Sequence, residues 1–214
     1  MASEGILEPR VGAYLERLAQ HDHSVLREME ALAAASDFPI VGPECGRLLH
    51  QLARMSAARR VFEMGSGFGY STLWFAAALP PGGRVVHTDG DPENSRRAHE
   101  FLTRAGLADR VQFETGDARE ILARTPGEFD VIFIDIDKEQ YPDAYALARD
   151  RVRVGGVVAI HNALWSGRVA DPAVTGEPAT QGVREYLRRM WADPAFVSSL
   201  LPLDDGMAVS VRVA

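Results

Sequence analysis

The chain has 214 residues, 46% of them hydrophobic, enough for one domain with a substantial core. Its 23 Lys and Arg stand against 30 Asp and Glu, a formal net charge of −7, and the basic residues gather into no stripe, which argues against nucleic acid as a partner. Apolar runs are strand-sized and broken by Gly, Pro or charge, well short of the roughly 20 residues of a membrane span, so a soluble protein with no membrane partner is expected.

The opening MASEGILEPR has no basic stretch followed by an apolar one, so no signal peptide is expected. A single cysteine, Cys45, excludes an internal disulfide and points to a reducing cytoplasm. Cys45 itself reads as a small buried thiol rather than a nucleophile. Residues 9–35 and 43–56 carry helical spacing of Leu, Ala, Val and Met, with Pro43 at a first-turn position, and make residues 1–56 an N-terminal helical segment. His21 and His23 fall in a polar break within it and read as solvated surface.

From residue 59 short β-rich runs alternate with helical segments: 59–64 then 70–79, 84–89 then 92–105, 110–115 then 117–125, 129–135 then 139–149, and 154–161. This predicts a parallel sheet covered on both faces. A Gly- and Pro-rich loop over 166–182 follows, then a helix over 183–192. Two further strands, 194–203 and 206–214, flank Asp204-Asp205-Gly206 and form an antiparallel hairpin. The expected fold class is α/β, a doubly wound, mostly parallel seven-stranded sheet with extra N-terminal helices. One domain over 1–214 has its α/β core at 57–214.

In such sheets ligands bind beyond the carboxyl ends of the strands. Those ends carry Glu63-Met64-Gly65, Asp89-Gly90-Asp91, Gly116-Asp117, Asp135-Ile136-Asp137-Lys138 and His161-Asn162. In EMGSGFGYST, Gly65, Gly67 and Gly69 let the backbone turn tightly and approach a ligand before a helix starts near Tyr70. A dinucleotide fingerprint would need glycine where Tyr70 stands, which counts against NAD. E-x-G-x-G-x-G instead resembles motif I of class I S-adenosylmethionine methyltransferases, with the Glu63 carboxylate where a cationic amino acid moiety would lie. Asp89, 24 residues after Gly65, suits ribose hydroxyls. Asp91 precedes Pro92 and reads as a helix cap, and Asp117 is either a cap or a cofactor contact, with Gly116 and Ala118 leaving room beside an adenine.

VFEMGSGFGYSTL, GRVVHTDGDPE, FDVIFIDIDKEQY, GGVVAIHNALWSGRVADP and LPLDDGMAVSVR follow one another as in the cation-dependent O-methyltransferases of the caffeoyl-CoA and catechol type. PECGRLLHQLARM resembles the helix before motif I in that family, and the resemblance covers about residues 38–214. It implies a Rossmann-like fold, S-adenosylmethionine as methyl donor, and a vicinal diol on an aromatic ring as acceptor. The cofactor contacts it implies are Val41, Glu63, Gly65, Gly67, Ser71, Asp89, Gly116, Asp117, Ala118 and Asp135. It also implies a divalent cation, Mg²⁺ or Mn²⁺, held by Asp135, His161 and Asn162, with Lys138 beside the hydroxyl to be methylated. A phenol, with a pKa of about 10, must lose its proton before attack, and a chelated cation together with Lys138 accounts for that.

This chain departs from the pattern at one position, where His161 replaces the usual aspartate. Three readings stand. The metal is retained with its preference shifted toward transition ions that accept imidazole; the metal is lost and His161 is the base; or His161 only bonds a neighbour. Survival of Asp135 and Asn162 favours the first. Lys138 and His161 are the catalytic candidates, although Lys138 also reads as a surface lysine. Asp137 reads as support for Lys138. Tyr141 and Tyr145 read as packing residues, and Trp165 as an acceptor wall or core. Arg168, Arg184, Arg188 and Arg189 read as solvated charges or as contacts to the phosphates of a CoA thioester.

The expected function is methyl transfer to a hydroxyl of a small catechol-like or aryl-CoA acceptor, by a cytoplasmic homodimer. The alternatives are a metal-independent methyltransferase using His161 or Lys138 as base, and a non-catalytic S-adenosylmethionine-binding module.

Overall fold

The computed structural model describes residues 8–214. The reading of MASEGILEPR as carrying no leader falls mainly on residues 1–7, outside the described residues.

The N-terminal helical spacing forms two helices, α1 (Pro9–Ala19) and α2 (Ser24–Ser36), separated by the polar break, and then α3 (Pro43–Met55). The alternation that follows is β1 (Arg60–Met64), α4 (Tyr70–Ala78), β2 (Arg84–Asp89), α5 (Pro92–Arg104), β3 (Val111–Thr115), α6 (Ala118–Arg124), β4 (Phe129–Ile134), α7 (Tyr141–Arg149) and β5 (Val152–Ile160). After α8 (Pro178–Ala192) come β6 (Phe196–Leu201) and β7 (Met207–Arg212). The seven strands lie in the order β3-β2-β1-β4-β5-β7-β6. β1 to β5 pair in parallel, while β7 runs antiparallel to both β5 and β6. The strand order reverses at β1 and β4, so the ends of those strands border the crevice where ligands collect.

Apolar residues on the central strands face both ways, as a sheet buried on two sides requires. Val61, Val85, Val131, Phe133 and Val157 pack with Met29, Leu49, Leu73 and Phe101 on one side. Phe62, Val86, Ile132, Ile134 and Val158 pack with Ile121, Tyr145, Val183 and Tyr186 on the other. Tyr141 and Tyr145 are packing residues as expected, and Cys45 is a fully buried thiol.

Two local expectations change. The helix expected from 183 starts at Pro178, because the Gln181-Gly182 pair that resembles a loop lies inside α8. Gly182 is there for close approach: a Cβ at that position would come 2.2 Å from the carbonyl oxygen of Lys138. The bare backbone lets α8 press on the Lys138–Gln140 turn and so sets the height of Lys138. His21 is not solvated surface. Its side chain is 10% exposed, with Nε2 on Glu30 Oε1 at 2.9 Å and its ring edge-on to Trp74 at 5.6 Å. His23 is exposed and caps α2, Nδ1 accepting from Leu26 N.

Candidate active site

Five strand ends open on a cavity of about 710 Å³. Val41, Gly65, Gly67, Ser71, Asp89, Gly116, Asp117, Ala118, Asp135, Lys138, His161 and Asn162 all line it, and Glu63 does not.

At one end lies the glycine turn after β1. Gly65 has φ +77°, and a Cβ there would come 2.1 Å from the carbonyl oxygen of Asp135, so only glycine lets the turn lie against the end of β4. Asp89 steadies the turn by accepting from Gly67 N at 2.9 Å, while its other oxygen accepts from Asp91 N and Asn94 Nδ2. Asp91 caps α5 by accepting from Glu93 N, and Asp117 caps α6 by accepting from Arg119 N and Glu120 N, while still lining the cavity.

Glu63 sits behind the turn, fully buried. One carboxylate oxygen accepts from Thr72 Oγ1 at 2.6 Å, and the other has no partner. Burial pushes this carboxyl up to about 7, against the pull of the Ser71, Thr72 and Ser66 hydroxyls. Thr72 also lies 3.1 Å from Nδ1 of His87, a ring that burial holds neutral by lowering it to about 3. Sequence reasoning passed over His87, since a lone histidine inside an apolar strand has no spacing signal.

The other end is built from β4, β5 and the turn before β7. Asp135 leaves β4 with its N–H donating to Met64 O at 2.8 Å. Lys138 Nζ donates to Asp135 Oδ1 at 3.1 Å and to the Ile136 carbonyl at 3.2 Å, and lies over the rings of Tyr141 and Trp165 at 5.3 and 5.6 Å. Trp165 therefore walls Lys138, and its indole N–H is buried without an acceptor. The Asp135 carboxyl would be raised by burial, but the adjacent charges of His161 and Lys138 outweigh that and hold it at about 2.

His161 is buried, with Nδ1 3.3 Å from Asp135 Oδ2 and Nε2 2.7 Å from Asp204 Oδ2. Burial alone would keep the ring neutral, yet the Asp135 and Asp204 carboxylates push it well above the usual imidazole value. Each ring nitrogen thus faces a carboxylate oxygen, and a ring protonated on both nitrogens donates to both. Asn162 donates from Nδ2 to Asp205 Oδ2 at 3.2 Å.

Asp204 and Asp205 are the residues that sequence reasoning missed, because Asp-Asp-Gly between two strands is fully explained as a hairpin turn. They do more. Asp205 Oδ1 accepts from Ser166 N at 2.6 Å, its carbonyl accepts from Leu164 N, and Gly206 O accepts from Ala163 N. These bonds hold Asn162, Trp165 and Ser166 at φ of 52°, 47° and 52°, the left-handed region, so the hairpin clamps the end of β5 in a costly shape. The signal the chain offers for them is that both acids lie within LPLDDGMAVSVR, one of the stretches that carry the family resemblance.

The donors as they stand do not fit a divalent cation. Both oxygens of Asp135 and both nitrogens of His161 are engaged, and the amide N–H₂ of Asn162 faces Asp205. Among the described residues, the His, Cys and carboxylate atoms that gather within 4.8 Å of one another belong to Cys45, His161 and Asp204, without Asp135. Burial pushes the Cys45 thiol up, away from the thiolate a metal would need.

Comparisons place this geometry. The O-methyltransferase family model matches residues 16–213. A catechol O-methyltransferase of Niastella koreensis is 35% identical over 204 residues, covering 91% of this chain and 92% of the relative. The O-methyltransferase TomG from Streptomyces achromogenes, involved in tomaymycin synthesis and solved with S-adenosylmethionine, superposes with a TM-score of 0.87 at 29% identity over the full length of both chains. An O-methyltransferase from Bacillus cereus, solved with S-adenosylhomocysteine, gives 0.85 at 31% identity, over 95% of this chain and 97% of the other.

Proposed function

The chain belongs to the O-methyltransferase family, and from that premise we propose that it moves the methyl group of S-adenosylmethionine to a hydroxyl of a small catechol-like acceptor. The observation that carries the reading is one cavity joining the glycine turn and Asp89 at one end to Asp135, Lys138 and His161 at the other. S-adenosylmethionine supplies a methyl group on a positively charged sulfur. The bare backbone at Gly65 and Gly67 suits the close approach of its charged amino acid end.

Lys138 handles the proton. In its neutral form Nζ takes the hydroxyl proton, the oxygen–methyl bond forms as the sulfur–methyl bond breaks, and the proton stays on the ammonium that Asp135 and the Ile136 carbonyl already cradle. Holding donor and acceptor in one cavity makes the encounter effectively intramolecular, worth several kcal/mol. No step is assigned to a divalent cation.

A free catechol suits the site better than a CoA thioester. Arg184 is committed to the carbonyls of Arg168, Val169, Asp171 and Val174, Arg188 and Arg189 pair with Glu185, and Arg168 reaches Glu177 at 3.5 Å, so each of the four already faces an acceptor. Among the described residues no helix is long and apolar enough to cross a membrane, and we place the enzyme in the cytoplasm. Val11, Tyr14 and Leu18 are 46%, 54% and 61% exposed along α1, an apolar stripe that supports a homodimer.

The test is mass-spectrometric detection of methylated product over a panel of vicinal diols, with S-adenosylhomocysteine affinity measured in parallel. A chain that binds the cofactor product but methylates no diol overturns the catechol reading and leaves a methyltransferase with a different acceptor, or the non-catalytic module.

A further inference from the structure

We propose that His161, with both ring nitrogens turned to the carboxylates of Asp135 and Asp204, stands in the place of the divalent cation that the related pattern uses, so that this site binds no metal. The inference rests on the proposed methyl transfer for its purpose, though not for its test.

The geometry is the warrant. A neutral imidazole has one N–H and one lone pair, so one of its two carboxylate neighbours would face a lone pair across 2.7 or 3.3 Å. A lone pair set against a carboxylate oxygen at either distance is repelled, whereas a doubly protonated ring donates to both. Such a ring has nothing to offer a metal and no room for a proton from the acceptor. It therefore fits neither the ligand nor the base expected of it.

Local charge is conserved by the replacement. An aspartate with a divalent cation carries +1 in sum, and an imidazolium alone carries +1. Around it stand the Asp135 and Asp204 carboxylates, Lys138 Nζ on the far oxygen of Asp135, and the buried Cys45 thiol, while the Tyr141 hydroxyl donates to the carbonyl of His161 itself. The ring lines the cavity, so its charge favours the ionised form of an acceptor oxygen seated beside Lys138. Asp204 is a positioning residue, aiming the ring from the hairpin turn.

Two measurements read this without turnover. In protein loaded with S-adenosylhomocysteine, Mn²⁺ titration followed by electron paramagnetic resonance is expected to show no saturable site. A nitrogen-15 histidine spectrum, with the His161 signals identified by their loss in His161→Gln, is expected to show both ring nitrogens protonated. His161→Asp is expected to tighten Mn²⁺ binding by at least about tenfold, since it adds a hard oxygen and removes a positive charge. Should His161→Asp not fold, the two measurements on the parent decide. Saturable Mn²⁺ binding by the parent that Asp135→Asn abolishes, or a His161 ring with one bare nitrogen, overturns the proposal. A parent with a protonated ring, no Mn²⁺ site and no methylated diol overturns the acceptor reading instead and leaves the imidazolium standing.

Discussion

The two ends of the cavity are built by different means. The donor end is made of backbone: a glycine turn, two helix caps and a carboxylate, each within a few residues of its own strand end. The acceptor end is made of side chains brought from far apart, with His161 aimed by Asp204 across 43 positions and Lys138 seated on α8 at Gly182. Local construction survives most single changes elsewhere, while long-range construction fails if any one contributor is removed.

Loss of Lys138 is the sharpest probe of that contrast. In Lys138→Ala, methylation of the true acceptor should fall about 10³-fold, roughly 4 kcal/mol in the barrier, with calorimetric affinity for S-adenosylhomocysteine unchanged. A parallel fall in that affinity would mean the ends are not independent. Gly65→Ala should break the contrast from the other side. A Cβ at 2.1 Å from Asp135 O in a φ +77° turn costs about 3 kcal/mol and displaces the start of the acceptor end as well, so cofactor binding and turnover should drop together.

Glu63 gives the donor end a pH signature. A carboxyl raised in the folded chain from 4.5 to about 7 contributes stability that is fully present below about 4.5 and lost as pH rises through 7. Glu63→Gln should remove that slope and exceed the parent by about 2–3 kcal/mol at pH 8 in cofactor-free urea unfolding. Equal slopes would show that Glu63 ionises freely. The smallest effect is expected of Asp91→Ala, which removes one cap bond to Glu93 N. It should cost about 1 kcal/mol and lower the melting temperature by about 2–4 °C, with turnover unchanged.

The same contrast explains what could be read from the chain. Strand and helix alternation, the capping role of Asp91 and the assembly of five strand ends follow from short-range patterns, and twelve of the thirteen distinct candidate positions line the cavity. Glu63 is the exception because period-2 alternation along β1 turns its side chain toward Thr72, under the turn rather than through it. Asp204 and Asp205 were invisible because turn chemistry already accounted for them, and their partners lie about forty residues away. The early start of α8 was masked by Gly182, whose reason is the neighbouring Lys138 carbonyl and not the helix itself. His21 was misread because a polar break between helices looks solvated until Trp74 and Glu30 fold over it.

Because the strand between β5 and β6 is the last to be made, synthesis has an order built into it. The clamp reaches residues 162–166 from positions 204–206, so a nascent chain carries all five parallel strands before the clamp is translated. The left-handed stretch after β5 therefore takes its final shape only once translation is almost complete.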